Sequence, residues 1–230
     1  MRSRSMLALL ALAAFAVPAR AQQDTRPGVA VLAFENGGSY GLNKEDYDAL
    51  QRGMAGMMIS ELAANPAWRV VERAQIQKLL DEQNLGTSGR IDAQTAAKIG
   101  KLVGAKYVVT GSFIDLSGDF RLDVRVINGE TSEIVKTESD HMQREHLFDL
   151  IRGVAQKLMK DVNLPALAKN VSDQRMSRQV PTEALTYYSR ALLYQDRGQS
   201  DKAKEMYQRA VAVFPDYTEA KEGLQRLGNS

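Results

Sequence analysis

Trp68-Arg69-Val70-Val71-Glu72-Arg73-Ala74-Gln75-Ile76-Gln77-Lys78-Leu79-Leu80-Asp81-Glu82-Gln83-Asn84-Leu85-Gly86 changes structural period within four residues. Trp68 to Val71 is short and rich in β-formers. Ile76, Leu79, Leu80 and Gln83 then fall at helical spacing among good helix formers, and Gly86 stands as a C-terminal stop. The stretch therefore reads as a strand that runs straight into a helix. Its neighbours on either side supply the layers that such a unit needs.

Towards the N-terminus, Val29-Ala30-Val31-Leu32-Ala33-Phe34 is a continuous apolar run whose length suits a strand covered on both faces. Glu35 to Leu42 reads as a loop of Gly, Ser and Asn. From Asn43, a helix N-cap, the residues Tyr47, Leu50, Met54, Met57, Met58 and Leu62 repeat at steps of three and four until Asn65-Pro66. Gly53 and Gly56 interrupt this long helix. Each costs about 1 kcal/mol relative to alanine, which points to close packing against a neighbouring element. The Met54, Met57 and Met58 cluster has core spacing.

Towards the C-terminus, Asp92 caps a short helix with Ala96, Ile99 and Val103 inward and Gly104 as terminator. Tyr107 to Ile114 reads as the central strand, and Ser117-Gly118-Asp119 turns it into Phe120 to Val126, which alternates apolar and charged residues. Asn128-Gly129 opens a second turn, Glu133 to Ser139 returns, and a helix with Leu147, Ile151, Val154, Leu158 and Val162 in its stripe runs to Pro165. The order predicts an α/β domain over residues 28–163, a mixed β-sheet with packed helices. Residues 164–181 read as a linker, because they are polar and Asn170 to Pro181 lacks an apolar period.

Residues 182–228 form a small all-α segment. Tyr187, Ala191, Tyr194, Gly198, Ala203, Tyr207, Ala210 and Pro215 occupy the small and large packing positions of a tetratricopeptide repeat spanning Ala184 to Tyr217, with Thr218 to Leu227 as the helix that follows. Arg190 stands where the repeat usually has leucine, which turns that face towards water or towards the first domain. One repeat cannot bury its own apolar face, so it must pack on the first domain, on another copy or on a partner, and the expectation is that it recruits a partner.

The chain of 230 residues, 44% hydrophobic and 25% charged, allows one domain of ordinary size with a small appendage. Residues 1–21 read as a secretory signal: Arg2 and Arg4 lead, Met6 to Val17 is apolar, and Ala19-Arg20-Ala21 is a cleavage site. The apolar run is shorter than the roughly 20 residues of a membrane span. Removal of its three arginines takes the formal charge from +2 to −1, which leaves no electrostatic case for nucleic acid. With no cysteine, disulfides, thiolate metal sites and an N-terminal lipid on cysteine are excluded.

The first domain resembles the CsgG-like family of bacterial envelope proteins. The resemblance is carried by Leu32-Ala33-Phe34 ending the first strand, by Val71-Glu72-Arg73 and Leu79-Leu80-Asp81-Glu82-Gln83, by Gly104-Ala105-Lys106-Tyr107-Val108-Val109-Thr110-Gly111-Ser112, and by Val126-Ile127-Asn128. It implies an exported, non-catalytic protein, periplasmic and peripheral at the outer membrane, that acts in assembly, docking or secretion-associated scaffolding. Its partners would be envelope proteins: further copies of itself or an outer-membrane lipoprotein. The alternatives it implies are an accessory ring of a curli-type secretion system and a regulator of a peptidoglycan synthase. The channel members of the family carry long membrane-crossing hairpins. Here Ile114 reaches Phe120 through a short turn, leaving no room for transmembrane strands of roughly 10 residues each. The loop after the first strand, which narrows the pore in those members, corresponds to Glu35–Leu42, so Tyr40 and Asn43 are the residues set aside for an oligomer or partner contact.

No catalytic or cofactor signature is legible. His141 and His146, five apart at a strand-to-helix junction, have poor ligand spacing and read as surface residues. Asp119 is turn chemistry, and Asp123 alternates with Arg121 and Arg125 on a wet face, while Asp115 has no nucleophile or base beside it. Gly86, Gly89 and Gly104 lack the spacing of a phosphate loop.

Overall fold

The computed structural model describes residues 24–83, 91–162 and 164–228. The signal read over residues 1–21, the Gly86 stop and Gly89 lie outside these. Strand β1 (Gly28–Val31) is followed by β2 (Glu35–Asn36), helix α1 (Lys44–Ala63), β3 (Arg69–Val70), α2 (Arg73–Glu82) and α3 (Ala93–Val103). Then come β4 (Tyr107–Leu116), β5 (Asp119–Asn128), β6 (Ile134–Gln143), a 3₁₀ turn at Arg144–His146 and α4 (Leu147–Asp161). Helices α5 (Lys169–Ser177), α6 (Thr182–Asp196), α7 (Ser200–Val213) and α8 (Thr218–Gly228) complete the chain.

The sheet runs β3-β1-β4-β5-β6, with β2 also on β4. β1 is parallel to β3 and β4, whereas β4, β5 and β6 form an antiparallel meander. This is the mixed sheet expected from the element order. The continuous apolar run of β1 is explained by its two-sided cover: Val29 and Val31 enter one core with α1 and α4, while Ala30 and Leu32 enter a second core with α2 and α3. In β5 the alternation puts Phe120, Leu122, Val124 and Val126 into the first core and leaves Arg121 exposed.

The helix ends follow local chemistry. The Asn43 side chain accepts the Asp46 amide N–H and starts α1, as the Asp92 side chain accepts that of Thr95 at the start of α3. Gly104 ends α3 at φ 67°, a left-handed conformation open to glycine at low cost. Met54, Met57 and Met58 are fully buried.

Three stretches differ from their sequence reading. Glu35–Leu42 is not a free loop: Glu35 and Asn36 pair with Ser112 and Phe113 of β4, and Tyr40 bridges to Leu116, because the unfilled side of β4 offers hydrogen bonds beyond the end of β1. The strand expected over Glu133–Ser139 is β6 and runs on to Gln143, since β5 pairs along its length from Asp119, so His141 lies within the strand. The stretch expected as a linker holds α5, whose residues are not buried and whose order comes from charge contacts described below.

The first core does not stop at α1 and α4. Ala184, Leu185, Tyr188, Ala191 and Leu192 of α6, with Met206, Tyr207 and Tyr217, belong to the same continuous cluster. The repeat is thus a third layer on the sheet domain.

Candidate docking surfaces and the seam with the repeat

The seam between α1 and α6 depends on the absence of side chains. A Cβ at Gly53 would lie 1.8 Å from Ser189 Oγ, and one at Gly56 2.5 Å from Tyr188 Oη. These two glycines let the helix backbones approach, and the neighbouring element they call for is the first helix of the repeat.

Ion pairs surround the seam. Arg190 reaches Asp46 at 2.5 Å, which accounts for arginine at a repeat position that usually holds leucine. Asp196, at the end of α6, accepts Arg52 of α1 at 2.9 Å and Arg73 of α2 at 2.8 Å, with its carboxylate almost fully covered. Arg73 therefore ties the strand-to-helix unit to the repeat. Arg197 adds an exposed pair with Glu45 at 3.2 Å.

Helix α5 is held as a strap. Arg175 pairs with buried Glu61 at 3.0 Å, and Arg152 of α4 donates to the carbonyls of Arg175 and Arg178 at 2.7 and 2.9 Å. Arg178 lies between the rings of Phe148 and Tyr217, 5.5 and 5.7 Å from their centroids, and makes a two-pronged contact with Glu219. Burial raises the Glu61 carboxyl above the usual range. Burial also acts to raise Glu219, but the Arg178 guanidinium and the Ser60 hydroxyl outweigh it and hold that carboxyl low. A cleft of about 400 Å³ lies between the two parts, lined by Glu72, Arg73, Tyr188, Gln195, Glu222 and Arg226 among others. Its arginines Arg73, Arg175 and Arg178 already pair with carboxylates of the chain.

The far end of the sheet forms a second feature. Asp115, 0% exposed, accepts hydrogen bonds from Tyr47 Oη at 3.2 Å, Arg144 Nη2 at 2.8 Å and the Gly118 amide at 2.8 Å. This carboxylate, which has no base or nucleophile beside it in the sequence, joins α1, the β4–β5 turn and the 3₁₀ turn that follows β6. Its backbone N–H donates to Ser39 Oγ, the Tyr40 N–H donates to its carbonyl, and the Tyr40 carbonyl accepts the Ser117 N–H. Tyr40 is thus 58% exposed on an immobilised backbone beside Leu116, 46% exposed. Asn43, set aside with it, is occupied in capping α1.

Val71 is buried and its N–H donates to the Val29 carbonyl, Glu72 is exposed at the start of α2, and Leu80 is buried with Leu79 against it in the second core. At Gly111 a Cβ would meet the Asp123 carbonyl at 2.2 Å. In the repeat, Ala191, Ala203, Tyr207 and Ala210 are buried, Tyr187 lies half-buried under Arg209, Tyr194 half-buried under Lys202, Gly198 ends α6 at φ 68°, and Pro215 follows α7. Tyr207 donates to Gln195, and burial pushes its hydroxyl pKa up to about 12. His141 and His146 are both exposed. Among the described residues, no group of three or more His, Asp or Glu converges on a common point, and no helix is long and apolar enough to cross a membrane.

Residues 11–121 match the family described as curli production assembly/transport component CsgG, and residues 184–217 match the tetratricopeptide repeat. No curated protein matches the chain in sequence. Among solved structures, TolB from Acinetobacter baumannii is 13% identical with a TM-score of 0.42, over 61% of this chain and 29% of that one. The LpoB C-terminal domain from Escherichia coli is 22% identical with a TM-score of 0.36, over 51% of this chain and 82% of that one. The PelC dodecamer from Paraburkholderia phytofirmans is 13% identical with a TM-score of 0.35, over 61% and 90%. This chain spans only 29% of the length of TolB. The chain is thus CsgG-like over residues 11–121 and carries a tetratricopeptide repeat over residues 184–217.

Proposed function

We propose that the protein is a non-catalytic, exported component of the bacterial envelope that acts by docking, as a scaffold for another envelope protein. The observation that carries this reading is the corner at the end of the sheet. Tyr40 and Leu116 are exposed there on backbone held by hydrogen bonds around Asp115, so burying them against a partner costs little ordering entropy. The repeat serves a different purpose in this reading. Its α6 face is covered by α1, so the repeat stiffens the scaffold and does not offer that face to a partner. The family match supports the envelope setting.

The test is photo-crosslinking in intact envelopes from a reactive residue placed at Tyr40. A discrete adduct with an envelope protein is expected, lost in Leu116→Asp and absent when the reactive residue replaces exposed Lys204 of α7. The same pattern of adducts from both positions would overturn the reading.

A further inference from the structure

We propose that β6 is a self-association edge, which pairs antiparallel with β6 of a second copy to join two sheets into one. The inference stands apart from the docking role, because it uses the opposite side of the meander from the one that carries Tyr40.

β6 ends the sheet, and it offers a ten-residue edge. Alternate residues of such a strand direct their N–H and C=O groups outwards, and a free row of these is a template for another strand. Natural edges are blunted by proline, by bulges, by short length, by a covering helix or loop, or by charged side chains, lysine above all. β6 has no proline. Its pairing with β5 skips Val135, since Val126 faces Lys136 and Ile127 faces Ile134, so one bulge lies near its start and residues 136–143 run on in regular register. Its one lysine, Lys136, is drawn to Asp161 at 3.4 Å and Glu138 at 3.8 Å. Ile134 and Val135 are 48% and 47% exposed, and Thr137, Ser139 and His141 are exposed between them and the strand end. On the other side α4 packs along β6, and Lys157 holds Asp140 at 2.7 Å, so the strand is backed by that helix.

Length selects the occupant. The opposite edge of the sheet, β3, has two residues, so a head-to-tail chain of copies would bury almost none of the β6 edge. A second β6 matches it. The register centred on Glu138 sets Lys136 beside Asp140 of the second copy, twice by symmetry, and Thr137 beside Ser139, a favourable hydroxyl pair. Glu138 then faces its own twin, the one repulsive contact.

Light scattering behind a sizing column, with the purified full-length protein over a range of concentrations, tests this. A concentration-dependent passage from one copy to two is expected. Thr137→Lys places an unpaired cation on the exposed side of the edge and should hold the mass at one copy with the circular dichroism unchanged. Glu138→Gln removes the like-charge contact and should tighten the dimer by about 1.4- to 5-fold, equivalent to about 0.2–1 kcal/mol. A single copy at every concentration, an assembly of another order, or a dimer indifferent to Thr137→Lys would each overturn the proposal. A monomer that captures an added β6 peptide would overturn it as well, since the edge would then serve a foreign strand. Adducts from Tyr40 are read separately, so failure here leaves the docking role standing.

Discussion

At Gly53 a side chain has no room, and two opposing effects can be set against each other there. Alanine in place of glycine favours a helix by about 1 kcal/mol, whereas a Cβ 1.8 Å from Ser189 Oγ forces α1 and α6 apart, and overpacking of this kind costs about 1–3 kcal/mol. Gly53→Ala should therefore lower the urea midpoint, with a net loss of up to about 2 kcal/mol from those two terms. Adding Ser189→Gly removes the obstructing atoms and should recover most of the loss; an additive double variant would show that the seam does not limit stability. A second residue gives a pH test. The Glu219 carboxyl is held below its usual 4.5 in the fold, so its contribution is complete above that value and disappears as the pH falls through the lowered one. Glu219→Gln should thus destabilise at neutral pH by about 3 kcal/mol, as expected for removing one partner of a buried pair. The difference from the wild type should shrink in acid, when both are followed by urea melts at several pH values. Glu61 works in the opposite sense: with its pKa raised, ionisation opposes folding, and acid relieves that cost.

Single elements were legible where one period dominates. The switch from Val70–Val71 to Ile76 and Leu80, the caps Asn43 and Asp92, the stop at Gly104 and the 34-residue repeat all depend on local spacing, and the structure keeps them. What local spacing does not contain is which element meets which. Gly53 and Gly56 announced a close neighbour but not α6, and Asp115 gave no sign of being the joint of three elements, because Tyr47 and Arg144 approach it from 68 and 29 residues away. Helix α5 is not legible in the sequence for the same reason. Its order comes from Glu61, Arg152 and Glu219 on three other helices, and no apolar stripe records such partners. This makes the strap sensitive to a single change. Arg178→Ala removes the contact with Glu219 and the stacking between Phe148 and Tyr217, leaving a covered carboxylate unpaired, at a cost of about 3 kcal/mol. Hydrogen exchange should then rise across residues 169–177 and α8 while β4 and β5 stay protected. Unchanged exchange in α5 would mean that other contacts order the strap.

Across the whole molecule, one continuous core spans the repeat and the sheet domain, and such a core predicts that the two fold as one unit. Tyr188, Leu192 and Tyr207 share a cluster with Met54, Phe113 and Leu150, and the polar rim from Arg190–Asp46 to Arg178–Glu219 closes over it. A lone repeat has too little apolar surface of its own to offset its ordering entropy, so residues 182–228 made as a peptide should show little helical circular dichroism. In the intact chain the two parts should melt together. Trp68, buried at the start of the strand-to-helix unit, reports the sheet domain by fluorescence, and near-ultraviolet dichroism of the buried tyrosines Tyr188, Tyr207 and Tyr217 reports the repeat. Coincident transitions from the two signals in urea are expected of a single cooperative unit. If the tyrosine signal were lost at lower urea while Trp68 kept its environment, the repeat would be a separable appendage. The seam at Gly53 and Gly56 would then be a weak contact and not part of the core.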